Sequence, residues 1–228
     1  MVVEKLLKIA LLGASWVMYL MIALSVVSIG AMVERWLFYF KRNQDPDELE
    51  EQLLKLLEEG DREGAQALLD KAKPRSFEAE AVAPALKYLD AGPEAFVDCV
   101  DAEFVKIRQD CERSMNLLAT LGNNAPFIGL FGTVIGVIIA FQKLGQSQGA
   151  NSMSSVMGGI AEALVSTGVG LFLALPAVIA YNLLAKKVDL IDGNVQSITK
   201  HITAFMKAQE HAERTEVRRS VSVIERAG

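Results

Sequence analysis

Apolar residues in this chain gather in three long stretches with almost no charge. Residues 9–33 carry no charged side chain over 25 positions, and residues 114–142 carry none over 29. The 42 residues between Lys143 and Lys186 carry one, Glu162. A helix needs about 20 apolar residues to cross hydrocarbon, so each stretch predicts a spanning helix. Their membrane cores are placed at residues 11–33, 125–144 and 161–185. Barrel strands are short and alternate in polarity, which these stretches do not. The first stretch follows Lys5 and Lys8, as a signal peptide would, but exceeds a signal core of about 7–15 residues. Trp36, Tyr39, Lys41 and Arg42 follow it as an interface border. It is therefore read as an uncleaved span.

Between and after the spans the pattern turns helical and polar. Asp45 before Pro46 opens a helix over residues 47–59, which Gly60 ends. Residues 62–72 form a second helix, closed by Pro74, and residues 79–89 a third, bounded by Gly92 and Pro93. Two seams with steps of three and four then flank the later spans. One runs through Val97, Val100, Phe104, Ile107, Cys111, Met115 and Leu118. The other runs through Val188, Ile191, Val195, Ile198, Ile202 and Phe205. Such seams predict that the second and third spans continue beyond the membrane as long helices. Packing within one chain, or several copies side by side, would bury them equally well. Past Glu210 the tail is polar and is expected to fray.

The expected fold is thus an all-α membrane protein. It has three transmembrane helices, the second and third long and extended into the cytoplasm, with a helical cytoplasmic loop domain. The predicted order is a periplasmic stub (1–10), transmembrane helix 1 (11–33), a cytoplasmic helical loop domain (34–113) and transmembrane helix 2 (114–144). A short periplasmic connection (145–160), transmembrane helix 3 (161–185) and a cytoplasmic helical tail (186–228) follow. Orientation rests on Lys and Arg. The stub and the Lys143 connection share one side with three of them, against 20 on the other side. The positive-inside rule places the richer side in the cytoplasm.

Composition agrees. Of 228 residues 51% are hydrophobic, and the mean hydropathy of +0.27 is too high for a soluble globule of this size. A net charge of −5 argues against a nucleic-acid partner. The loop's 20 acidic against 12 basic residues read as a solvated face, with a docking surface as the alternative. The only cysteines, Cys99 and Cys111, are expected as free thiols in a reducing compartment. His201 and His211 lie in the tail and are read as solvated. No metal spacing, phosphate loop or catalytic constellation occurs, so neither an enzyme nor a cofactor is expected.

Small residues mark the later spans. Gly132, Gly136 and Ala140 recur every four positions in the second, and Ser166, Gly170 and Ala174 in the third. That spacing lets helix backbones approach closely in lipid. It also suits the wall of a narrow passage. Glu162 is placed on the Ser166–Gly170–Ala174 stripe. By position it is either a helix-terminal charge at the outer interface or a titratable group near an ion path. Thr133 and Thr167 lie deeper. A threonine hydroxyl there bonds its own backbone, or meets a protonatable group on a partner helix. No aspartate lies within the spans, so if protons cross, the main acid comes from another polypeptide. Pro126 and Pro176 are expected to kink their helices.

Residues 121–133 read LGNNAPFIGLFGT, residues 159–170 read GIAEALVSTGVG, and residues 173–182 read LALPAVIAYN. These blocks resemble the ExbB/TolQ branch of the MotA/TolQ/ExbB proton-channel family, with wording closer to ExbB. Residues 119–185 carry the resemblance, and the order of spans and loop matches. Ile135 stands where the branch has tryptophan. The resemblance implies a stator subunit of a motor driven by the proton motive force in the bacterial inner membrane. Five copies would ring the single helices of an ExbD/TolR-like partner, whose intramembrane aspartate takes up and releases protons. Thr133 and Thr167 would face that aspartate, and Glu162 would match the family glutamate of the third helix. The implied work is TonB-dependent transport through a TonB-like partner. Tol-Pal maintenance through a TolA-like partner and gliding motility are the alternatives. A passive scaffold or a secondary transporter fits less well, since there is no internal repeat or midplane solute site.

Overall fold

The computed structural model describes residues 15–146 and 151–227. The stub expected at 1–10, the first residues of the first span and residues 147–150 of the connection lie outside them. Among the described residues there is no strand. The elements are α1 (Ser15–Phe40), α2 (Pro46–Glu58), α3 (Arg62–Ala72), α4 (Phe77–Val82), a 3-10 segment (Ala83–Ala91), α5 (Pro93–Glu112), α6 (Met115–Gln146) and α7 (Asn151–Ala227). Among the described residues three helices are long and apolar enough to cross a membrane: Trp16–Phe40, Met115–Gly145 and Met153–Ala212. The chain is an all-α membrane protein. Its residues fall into two units: a spanning unit of the residues up to Trp36 and 114–185, and a polar unit of 37–113 and 186 onward.

In the polar unit local signals set the helix ends. Asp45 accepts the Asp47 N–H at 3.0 Å and Pro46 occupies the first turn of α2. Gly60, at φ 76°, makes the reversal into α3, where Asp61 accepts the Gly64 N–H at 2.9 Å. α2 buries Leu49, Leu53 and Leu57, and α3 buries Ala65, Leu69 and Ala72. Each fully buried leucine contributes about 1.5–3 kcal/mol.

The third loop helix differs from its expectation over residues 79–89. It starts at Phe77, capped by Ser76, whose hydroxyl accepts the Ala79 N–H at 3.0 Å. From Ala83 it tightens into the 3-10 segment. Pro84 has no N–H to give and crowds the carbonyl four residues back, so the α-helix stops there. Gly92, at φ 102°, then turns the chain into α5.

Both seams are buried inside this one chain. α5 covers Phe96, Val100, Phe104, Ile107 and Cys111, and the later part of α7 covers Val188, Ile191, Val195, Ile198 and Ile202. At the seam ends Phe96 and Met206 are buried, while Val97 and Phe205 are only half-buried. Polar ties add to this. Asn194 donates to the Glu78 carboxylate at 3.1 Å, Arg108 approaches Asp192 at 3.7 Å, and His201 pairs with Glu50. His201 is exposed, as the tail pattern suggested, but it has this acidic partner.

Two boundary features refine the expected layout. The seam before the second span does not run into it unbroken. A two-residue interruption at Arg113–Ser114 separates α5 from α6, and the Ser114 hydroxyl donates to Glu34 at 2.5 Å. The third span and its extension are instead one helix of 77 residues. It begins at Asn151, so most of the stretch from 145 to 160 is helical. Tyr39 and Arg42 are also not free for a membrane surface. Tyr39 donates to the Cys111 carbonyl at 3.4 Å, and Arg42 pairs with Glu80 while its guanidinium lies 4.3 Å from the Phe77 ring centre. Trp36 remains exposed.

Candidate functional site

The spanning unit is built on close approach of α6 and α7. A Cβ added at Gly122 would lie 2.6 Å from a Val178 methyl, at Gly129 2.9 Å from the Ser166 carbonyl, and at Gly136 2.6 Å from the Ala163 Cβ. At Gly159 it would lie 3.0 Å from the Ala140 Cβ. Rising numbers on α6 meet falling numbers on α7, so the two helices pack antiparallel. Their small residues let the backbones touch. Gly132, Gly136, Ala140, Ser166, Gly170 and Ala174 are all buried along this seam.

α1 covers one side of it. Val17 reaches Gly132 and Met21 reaches Gly170. Both join Ala125, Ile135, Leu173 and Ala174 in an apolar core, with Trp16 edge-on to Phe131 at 6.3 Å. Ile135 is 3% exposed and fills this core.

Thr133 and Thr167 follow Gly132 and Ser166 by one residue, a turn of about 100° away from the face that meets α1. The structure brings them together. Their hydroxyls touch across the seam, 34 positions apart in sequence. Thr133 Oγ1 also lies 3.0 Å from the Ala163 carbonyl and 3.3 Å from the Gly129 carbonyl, and Thr167 Oγ1 lies 3.2 Å from the Gly129 carbonyl. Each hydroxyl has one proton to donate and two lone pairs. Two protons facing two carbonyls and each other are spent inside the chain. What the pair still offers is acceptor capacity.

Both threonines are half-buried, so that capacity is reachable. The surroundings are dry: Leu130, Val134, Leu164 and Leu171 are exposed around them. A charge placed there without a partner would be costly.

The remaining predicted positions fall elsewhere. Glu162 is exposed and does not join the buried line, which passes instead through the fully buried Ala163. The physical reason is that a four-residue step overshoots a full turn by about 40°, and the seam corrects with the three-residue step from Ala163 to Ser166. Pro126 and Pro176 lie inside α6 and α7, and both helices continue through them. Pro126 is half-buried and Pro176 exposed.

Sequence reasoning missed Gly129. Its added Cβ would meet only backbone, 2.9 Å from the Ser166 carbonyl, and it supplies the carbonyl that both threonines approach. The spacing Ala125, Gly129, Gly132, Gly136, Ala140 carried that signal, in steps of four and three.

No group of described residues could hold a metal ion. Shifted ionisations lie in the polar unit. The Arg62 hydrogen bond holds the Asp90 carboxyl below its ordinary range, and Lys73 with Gln66 does the same for Asp70. Both carboxyls are exposed, so these pairs add little stability.

Comparison with known proteins gives a consistent result. Residues 72–197 match the model of the MotA/TolQ/ExbB proton channel family. The chain is 35% identical over 122 residues to the Tol-Pal system protein TolQ of Pseudomonas aeruginosa, covering 54% of this chain and 52% of that protein. It is 44% identical over 93 residues to the biopolymer transport protein ExbB of Neisseria gonorrhoeae, covering 41% and 42%. A putative biopolymer transport protein ExbB-like 2 of Helicobacter pylori is 41% identical over 86 residues, covering 38% and 57%. The matched stretch thus spans about half the length of these curated relatives.

Proposed function

This chain belongs to the MotA/TolQ/ExbB proton channel family, and on that footing we propose that it is the stator subunit of an inner-membrane motor driven by protons. Several copies, five by family resemblance, surround the single helices of two ExbD/TolR-like subunits, each carrying an intramembrane aspartate. The observation that carries this reading is the Thr133–Thr167 pair, a polar spot in a dry seam between two membrane cores, 125–144 and 161–185, that contain no aspartate.

The chemistry follows from the hydroxyl protons. Because both are committed within the chain, the pair accepts a hydrogen bond from a protonated acid. It serves an ionised carboxylate poorly unless one internal bond opens. A partner aspartate is therefore stabilised neutral while it passes the pair, and must lose its proton where water is near. One proton crossing 100 mV releases about 2.3 kcal/mol, enough to bias a small step. The apolar surround keeps the route from becoming an open pore.

The N-terminus lies in the periplasm and the polar unit in the cytoplasm, as the positive residues direct. The work served is TonB-dependent transport. The TolQ relative favours Tol-Pal envelope maintenance as the second reading.

Glu162 is assigned to the outer mouth of the route. Proton flux through vesicles holding the chain and its partner, measured against pH, tests this. Glu162→Gln is expected to lower flux and flatten its pH profile. An unchanged profile removes Glu162 from the route, and absence of proton movement in the unmodified complex contradicts the proposed function.

A further inference from the structure

The short helix α4 is shielded from solvent on almost every side. Phe77, Glu78, Ala79, Ala81 and Val82 are all buried. A carboxyl group in such a setting needs partners for both oxygens. Glu78 finds neutral ones. Its Oε2 accepts from the Ser76 hydroxyl at 2.8 Å, and its Oε1 accepts from the Asn194 amide of α7 at 3.1 Å. Among the described residues Glu78 forms no ion pair. An apolar side chain of similar size would fill the space without that desolvation. What the acid adds is a directed tie to one residue of α7.

The same helical turn also holds the end of α1. The Phe77 ring lies 5.6 Å from the Phe38 ring and 5.8 Å from the Tyr39 ring, centre to centre. Arg42, just past the end of α1, sets its guanidinium over Phe77 and pairs with Glu80. On a helix Glu78 points about 100° away from Phe77 and about 160° away from Glu80. The two grips therefore leave the turn in different directions. Ser76 fixes the turn between them. Its Oγ accepts the Ala79 N–H at 3.0 Å while its proton goes to Glu78.

We infer that α4 is a strut that couples the end of α1 to α7, so that a shift of α7 at Asn194 is passed to Arg42, and the reverse. Close-packed interiors compress little, so a buried turn gripped from two sides moves as one piece. Glu78, Asn194 and Arg42 act as positioning residues within it. α1 and α7 both contain apolar segments long enough to cross a membrane, and the strut joins them through residues outside those membrane cores. The other polar ties of α7, His201 with Glu50 and Arg108 with Asp192, lead to α2 and α5 and do not reach α1. The coupling stands on these contacts and not on what drives the protein.

The test is amide hydrogen exchange of the full chain in lipid nanodiscs. Asn194→Ala cuts the tie at α7 and leaves Phe77, Glu80 and Arg42 in place. It is expected to speed exchange over residues 190–198, and also over residues 36–42, by roughly 2–10-fold. Arg42→Leu is expected to act from the other end and reach residues 190–198. The effect of both together should be little larger than that of either alone, since each already breaks the strut. Glu78→Gln keeps an oxygen for Asn194 and should leave both segments near their unmodified rates. Arg108→Ala, which cuts a tie that bypasses α4, should leave residues 36–42 unchanged. If Asn194→Ala acts only on residues 190–198 and Arg42→Leu only on 36–42, the two grips are independent and the inference falls. Exchange that rises equally over residues 49–57 of α2 means general loosening and overturns it as well.

Discussion

Gly129→Ala disrupts the packing of α6 on α7 and lowers the melting temperature of the membrane-embedded protein by at least several degrees. The added methyl would lie 2.9 Å from the Ser166 carbonyl, 3.1 Å from the Thr167 Cα and 3.2 Å from the Gly170 Cα. All three are backbone atoms, so no side chain can swing aside. Relief requires the helices to part, and overpacking of this kind costs about 1–3 kcal/mol or more. Parting also shifts the Gly129 carbonyl, which both threonines approach, so proton-driven activity falls with stability. Gly168→Ala is the matched control. No atom lies within 4 Å of its added Cβ, and alanine favours helix by about 1 kcal/mol over glycine. A thermal scan of both variants decides. If Gly129→Ala melts like Gly168→Ala, the close approach is not what holds the seam.

Thr133→Ala combined with Thr167→Ala abolishes proton-driven work while the protein remains folded and assembled. Each threonine is half-buried; they hold each other, and Thr133 also meets the Ala163 and Gly129 carbonyls while Thr167 meets the Gly129 carbonyl. Those carbonyls are in helices, so losing the hydroxyls leaves no grossly unsatisfied group and stability changes by about 1 kcal/mol or less. What disappears is the acceptor pair in the dry seam. Single substitutions should be milder, because the surviving hydroxyl still accepts. Activity of the driven process, measured beside the amount of assembled complex, separates the two effects. Full activity in the double variant would remove the pair from the proton route. Loss of the complex itself would assign it a structural role.

The spans were legible because charge is nearly absent from them, and no packing detail is needed to read that. The start and end of α2 were legible for a similar reason. Asp45, Pro46 and Gly60 act within a few residues of their own position. The loop's third helix was misread because Pro84 was not weighed against the helical propensity around it, and Ser76 was overlooked as a cap. The seams on α5 and α7 were read with the correct period, but Val97 and Phe205 gave way to Phe96 and Met206. A helix end can rotate by one position to suit its neighbour, and a periodic pattern does not fix that rotation.

The candidate site shows the same division. Thr133 and Thr167 stood out as hydroxyls in apolar runs. Their contact depends on the register of two antiparallel helices joined through residues 147–150, which no local pattern specifies. That register also decides that Gly129 lies against the α7 backbone and that Ala163, not Glu162, is buried.

The most direct test is proton flux into sealed vesicles under an imposed gradient, measured for the chain alone and with a single-span partner bearing an intramembrane aspartate. The stator account predicts negligible flux from the chain alone, flux when the partner is present, and its loss when that aspartate becomes asparagine. Equal flux with and without the partner, or flux indifferent to that aspartate, would contradict it.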